Sequence, residues 1–473
     1  MSVRLVLSII VLGLTGTAWC LDDSRLPSQE TMMHWVRELC RTEHRRPGTP
    51  EGHRAERFVA DEFHRLGLQD VRVEPVPIEV WKPHSWSLTV AVGCREHEVP
   101  CFYLPYAAFT PPQGIERRLV YLGEGRPEDI SAADLAGEIA VLDMRFQRMP
   151  YEALTSKAHH VEDPNGTIAP GDWQWAAWWR PNWSAYGLAH EAGAAAVVWI
   201  LADQDTNVNT HYGPYDGVMK PLPGLYVGKY DGVKLRELCA AGASARFVLD
   251  GRCEPGSMAN IIGRLPGPGE KSIAITSHHD SPFRGATEDG TGMASLLALA
   301  RYYAPLPEDQ RPAPLIFVAT AGHFYGGAGM DAFVMDQSAD ELRQIALGVT
   351  VEHVGAREFV ERNREWAPTG RLQARGLFVW PQVAEAAVAA VKAERLERAI
   401  VTPADAFDLP PPGEASGFHV AGIPCVQYIT GPTYLLVSDD TLDKVEPSAL
   451  LPVVRTMIRL IDAAAQQDWP DRG

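Results

Sequence analysis

The sequence predicts an α/β protein: a doubly wound mixed sheet carrying a second, smaller α/β domain as an insert. Three observations lead there. From Ala259 onward, apolar runs of strand length (around Ile273, Leu315–Ala319, Ala346–Val351 and Ile423–Ile429) alternate with helical stretches, which is the pattern of an open parallel-type sheet. From about Gly114 to Gly256 the character changes, and short strands and helices of a separate unit appear. Finally, the apolar run Ile273–Thr276 leads into His278-His279-Asp280, and a short loop then brings Glu288 and Asp289. Open α/β sheets place their chemistry at such strand ends. The domains expected are therefore residues 24–113 together with 257–470, and an insert of 114–256.

In the N-terminal part, Pro47-Gly48-Thr49-Pro50 is a turn. Ala55, Phe58, Val59, Phe63 and Leu66 follow at helical spacing, with Gly67 as the stop. Val71–Val80 and Ser87–Val92 alternate as strands do. In the insert, Ile139–Leu142, Ala194–Ile200, Leu222–Val227 and Ala245–Leu249 read as strands, with a helix over Ser184–Ala192. The last helix is expected near Leu450–Ala464.

Bulk properties exclude several classes. A chain of 473 residues is long enough for two or three domains, and 46% apolar with 22% charged residues is globular rather than disordered. The net charge of −17 argues against nucleic acid and anionic membranes as partners. Arg4, the short apolar run Leu5–Leu14 and Gly16-Thr17-Ala18 read as a signal peptide over residues 1–18, so the expected location is secreted or periplasmic. Six cysteines lie beyond Cys20, and Cys94 with Cys101, or Cys239 with Cys253, are the candidate pairs. Trp173, Trp175, Trp178, Trp179 and Trp183 make an aromatic segment suited to a substrate cleft or to packing between domains.

Six motifs carry a resemblance: His278-x-Asp280, GATEDGTG (285–292), FVATAGHFYGGAG (317–329), VEHVG (351–355), FHVAGIP (418–424) and DDTLDKVEP (439–447). With RRPGTPEGHRAERFV (45–59), they make the chain similar to the secreted zinc exopeptidases of the aminopeptidase Y and glutamate carboxypeptidase II type. That resemblance implies a zinc-exopeptidase sheet with a protease-associated insert. It also implies two zinc ions on five ligands, and here the match is partial. His278, Glu288 and Glu352 stand at the ligand positions of one zinc, with Asp280 orienting His278 and Asp289 as the alternative ligand. The other zinc's own positions carry Phe324 and Ala415, which cannot bind metal, and His323 stands where the family has its general base.

The expected site is thus reduced to one divalent metal, zinc first, with manganese or calcium also compatible. His323 and Asp280 are the expected catalytic residues, and Trp178, Trp179 and His353 the expected substrate contacts. The expected function is a secreted metal-dependent hydrolase acting on a narrow set of peptides or small molecules. The alternatives are an inactive binding protein, as transferrin receptor is among these relatives, and a lyase or transferase using the remodelled pocket.

Overall fold

In the computed structural model, residues 21–146, 148–169, 171, 173–175, 182–336, 339–407 and 409–469 are described. The expected signal peptide, and Trp178 and Trp179, lie outside these residues. Four parallel strands form the centre of the large sheet: Leu315–Thr320, Ser272–His278, Ile345–Val351 and Cys425–Thr430, in that spatial order. Every residue of the four is buried, as expected of strands covered on both faces. Arg375–Val379 runs antiparallel to Cys425–Thr430 and is followed by Ala399–Pro403, so the sheet is mixed. The helices Gly292–Tyr303 and Leu450–Ala464 pack on one face, burying Leu296, Leu299, Val453, Met457 and Ile461.

The expected strands Val71–Val80 and Ser87–Val92 are one long strand, Gln69–Val92. It pairs along nearly its whole length with Ser244–Leu265. The start of that second strand pairs with Ile115–Tyr121, and its end pairs with Leu315–Thr320. A single strand thus crosses residues 256 and 257 and joins two cores. One core contains Val36, Phe63, Leu299 and Ile461, and the other contains Val141, Trp199, Tyr226 and Phe247.

The six cysteines among the described residues are all free. The expected Cys94–Cys101 bridge fails because the hairpin tip is at Gly93-Cys94 and Arg95–Val99 is itself a strand, paired with Leu88–Val92. Five strand residues at about 3.4 Å each hold the two sulfurs far beyond disulfide range. Cys239 lies in the helix Lys229–Ala240 and Cys253 in the long strand.

The Pro50–Leu66 helix is capped as its sequence demands. Thr49 accepts from the Gly52 N–H, Pro50 occupies the first turn, and Gly67 takes a left-handed φ of 85°. Just before it, Arg45 is fully buried and clamps the loop that carries Glu288. Its guanidinium donates to the carbonyls of His279 (2.8 Å), Gly285 (3.2 Å), Glu288 (3.2 Å) and Arg284. From the other side, the Asp440 carboxylate accepts the N–H groups of Thr287 (3.0 Å) and Glu288 (2.8 Å). Arg45→Met should therefore strand several buried carbonyls, each costing about 1–3 kcal/mol. The expected result is a drop in melting temperature of more than about 5 °C. A variant melting with the parent would show that the loop holds itself.

Candidate metal centre

Each candidate side chain sits at the C-terminal end of a central strand or in the loop after one. His278 closes the Ser272–His278 strand, His323 follows Leu315–Thr320, and Glu352 and His353 follow Ile345–Val351. Glu288 and Asp289 come from the clamped loop before the Gly292–Tyr303 helix. His278, Glu288, Asp289, Glu352 and His353 are all buried.

His278, Glu288 and His353 converge. His278 Nε2 stands 3.2 Å from Glu288 Oε1, and His353 Nε2 stands 3.1 Å from Glu288 Oε2. The hydrogen bonds on the far sides of the rings set both tautomers. His278 Nδ1 meets the Asp280 carbonyl at 3.1 Å, and His353 Nδ1 meets the Thr430 carbonyl at 2.7 Å. A carbonyl can only accept, so each Nδ1 carries the proton and, in the neutral ring, each Nε2 presents a lone pair. Those two nitrogens, with Glu288 Oε1 and Glu352 Oε2, are buried without a hydrogen-bond partner among the described residues. Orphaned buried polar atoms are costly, and a cation satisfies all of these together. Donors held about 2.0–2.1 Å from one zinc stand roughly 3.3 Å apart at a tetrahedral angle, close to the spacings here. The donor set therefore fits a divalent metal.

His353, expected as a substrate contact, thus lies among the converging donor atoms. The cue in the sequence was a second donor directly after Glu352. Its φ of 55° is left-handed, and its N–H is held by Asp289 Oδ1 at 2.9 Å. Glu352, expected as a ligand, lies outside the tightest group. Its Oε1 accepts the Glu414 N–H at 2.7 Å, and its carboxylate packs against Gly413, where a Cβ would stand 2.3 Å from Oε2. Asp289, the alternative ligand, has both oxygens engaged: Oδ2 by Ser277 Oγ at 2.5 Å, and Oδ1 by the N–H groups of His353 and Gly292. Its role is to hold the backbone beside the site.

Asp280 does not orient His278 through its carboxylate, whose nearer oxygen is 3.7 Å from Nδ1. That carboxylate instead accepts the N–H groups of His323 (3.2 Å) and Phe324 (2.9 Å) and so fixes the turn that carries them.

His323 is sandwiched between the rings of His278, at 4.1 Å, and Tyr215, at 5.5 Å. Its Nδ1 is 2.8 Å from Glu414 Oε1, while Glu414 Oε2 accepts from Thr320 Oγ1 at 2.8 Å. Glu414 thus gives His323 a carboxylate partner, a pairing no sequence spacing announces. Phe324 and Ala415 are completely buried. Phe324 packs edge-on against Tyr212, filling that side of the site with aromatic rings. His279 donates to the Ala259 carbonyl at 3.0 Å and is structural.

Burial pushes each ionised group toward neutrality, but opposite charges win at the centre of the cluster. His353 is lifted to about 9, its burial outweighed by Glu288 and then by Asp289 and Glu352. Glu288 is held well below the usual carboxylate range despite its burial, chiefly by His353 and His278. For Glu352, burial dominates the counteracting His278 and lifts the carboxyl to about 7.

Residues 260–461 match the model of peptidase family M28. Over this domain the chain is similar to the zinc exopeptidases. Solved structures of similar fold include a zinc aminopeptidase from Bacillus subtilis, with 18% identity, 94% of this chain and 98% of that one covered, and TM-score 0.69. An aminopeptidase from Aneurinibacillus sp. strain AM-1 is 20% identical over 96% and 98% of the chains, with TM-score 0.61. A peptidase M28 precursor from Shewanella amazonensis SB2B is 17% identical over 95% and 99%, with TM-score 0.67. No curated protein matches the chain by sequence. These likenesses place the chain in the zinc aminopeptidase fold.

The ionisation pattern makes the metal-free protein pH-sensitive. His353 is raised from an unfolded value near ~6.5. Its stabilising contribution is full below about 6.5 and is lost as pH climbs through about 9. Glu288, depressed, contributes steadily above its unfolded value of about 4.3 and does not oppose this fall. In chelator, the melting temperature should decline between pH 6.5 and 9, and saturating zinc should flatten the decline. A profile unchanged by zinc would disconnect the cluster from metal.

Proposed function

We propose that the protein is a metal-dependent, peptidase-like hydrolase working with one divalent ion, zinc first, held by His278, Glu288 and His353 with Glu352 alongside. The observation that carries this is the set of unpartnered buried donor atoms converging at the strand ends. No Lys or Arg neutralises Glu288 or Glu352 among the described residues, as a structural remnant of a dead site would invite. The aromatic filling around Phe324 and the methyl group of Ala415 leave the second family site without its own ligands.

A bound divalent ion supplies Lewis acidity, polarising the scissile carbonyl and making water easier to deprotonate. The chain's own part is proton handling. With Nδ1–H directed at Glu414, the Nε2 of neutral His323 is the atom that takes a proton from the attacking water and passes it to the leaving nitrogen. Asp280 keeps His323 in place through the turn's backbone. Although burial and His278 oppose the charged ring, Glu414 and Glu352 raise the His323 pKa above its ordinary value, and a bound cation opposes that rise.

Residues 114–256 are proposed as the inserted unit. Within it, Met149 and Pro150 line the cavity at the site and pair with Gln174 and Trp173, just ahead of Trp178 and Trp179 in the chain. This supports a substrate-facing role for the Trp segment. Export by the N-terminal segment completes the proposal.

Elemental analysis should give about one zinc per chain, lost in His278→Ala and His353→Ala and kept in His159→Ala. Two tightly held ions, or none after reconstitution, would defeat the single-metal reading. His323→Gln should lower kcat roughly 100-fold or more and remove the limb of the kcat/KM profile that rises with pH. Near-normal kcat in that variant would take His323 out of the mechanism.

A further inference from the structure

We propose that the cavity beside the metal centre receives a long, uncharged acyl chain, so that the substrates are acyl amides; this rests on the hydrolase reading above. The cavity measures about 470 Å³ and opens directly onto Glu288, His323, Glu352 and His353. At the ~30 Å³ that one water occupies, it has room for on the order of ten to fifteen methylene-sized groups. That is several times what one apolar amino-acid side chain needs, and it lies in the range of pockets that enclose whole small molecules.

The chemistry of the wall is one-sided. Away from the metal end, its described lining is apolar or uncharged, with Leu154, Phe378, Phe407, Ile429 and Leu436 prominent and Pro410–Pro412 on one side. Proline has no N–H to donate, so this stretch offers substrate no backbone donor. Carboxylate and imidazole side chains of the described lining are confined to the four residues at the metal end. A charged group pushed into the interior would lose its water without a partner.

An α-ammonium group near the scissile bond is poorly served as well. The carboxylates in the described lining are Glu288, between His278 and His353, and Glu352, whose Oε1 accepts the Glu414 N–H, and their remaining oxygens are already counted among the donors for the ion. An acyl group with no amine avoids that conflict. Hydrolysis then breaks the amide C–N bond and forms a C–O bond from water, one water proton going to the leaving nitrogen. The products are a carboxylic acid and an amine.

The test uses the zinc-loaded full chain with 4-nitroanilides of acetic, hexanoic, decanoic and dodecanoic acids, beside leucyl and phenylalanyl 4-nitroanilides. At the usual worth of a buried methylene, kcat/KM should rise roughly tenfold for every two methylenes until the cavity is full. The dodecanoyl compound should exceed both aminoacyl compounds. Ala153→Trp, which projects a large ring into the lining from a half-buried position, should move the optimum to shorter chains. A flat chain-length series, or faster cleavage of the aminoacyl compounds, overturns the proposal. If no anilide is cleaved, the hydrolase reading fails separately, and binding of a dansyl-labelled undecanoic acid decides the cavity. Binding displaced by fatty acids in order of chain length, and weakened by Ala153→Trp, upholds the acyl-chain site; no binding removes it.

Discussion

The loop from Arg284 to Asp289 is held by two buried polar side chains acting on its backbone from opposite sides. Arg45 gathers its carbonyls, and Asp440 gathers its amides. Peptide groups buried without partners are costly, so this irregular loop persists inside the protein only because both clamps are present. It carries Glu288 to within reach of His278 and His353, and it places Asp289 where its carboxylate fixes the His353 backbone. The clamp therefore sets the metal centre although neither Arg45 nor Asp440 belongs to it.

Around that loop the site is built in two unequal halves. On one side, carbonyl partners lock two imidazoles with their Nε2 atoms facing Glu288. On the other, Phe324 and Ala415 stand buried where the family resemblance calls for ligands. The aromatic packing of Phe324 continues through Tyr212 and Tyr215 into the second core. His323 sits on the seam, stacked on His278 and tied to Glu414. A carboxylate partner on an imidazole favours proton acceptance at the opposite nitrogen, and Glu414 is such a partner for His323.

Much of the fold was legible because its signals are local and strong. The four central strands are unbroken apolar runs, and their residues could not be solvent-facing. The Pro50–Leu66 helix carries its own cap, proline and terminating glycine. The strands Arg375–Val379 and Ala399–Pro403 were not legible: segments of only five residues become strands by pairing with Cys425–Thr430 and with each other. The disulfide expectation failed for a related reason, since the Cys94–Cys101 spacing does not reveal which residues make the turn.

The sequence by itself determined the α/β class, the family motifs and the neighbourhood of the site. Strand-end His, Glu and Asp residues mark themselves by interrupting apolar runs that must otherwise be buried. It also determined that Phe324 and Ala415 cannot bind metal, since neither side chain has a donor atom. Only the tertiary structure decided which donors converge. Whether Glu352 or its neighbour His353 turns toward Glu288 depends on a left-handed φ, a carbonyl on the Cys425–Thr430 strand and the approach of Gly413. The partnership of His323 with Glu414 spans 91 residues and is set by where two loops meet at the end of the sheet. Such contacts depend on packing between segments distant in the chain, and local sequence carries no record of them.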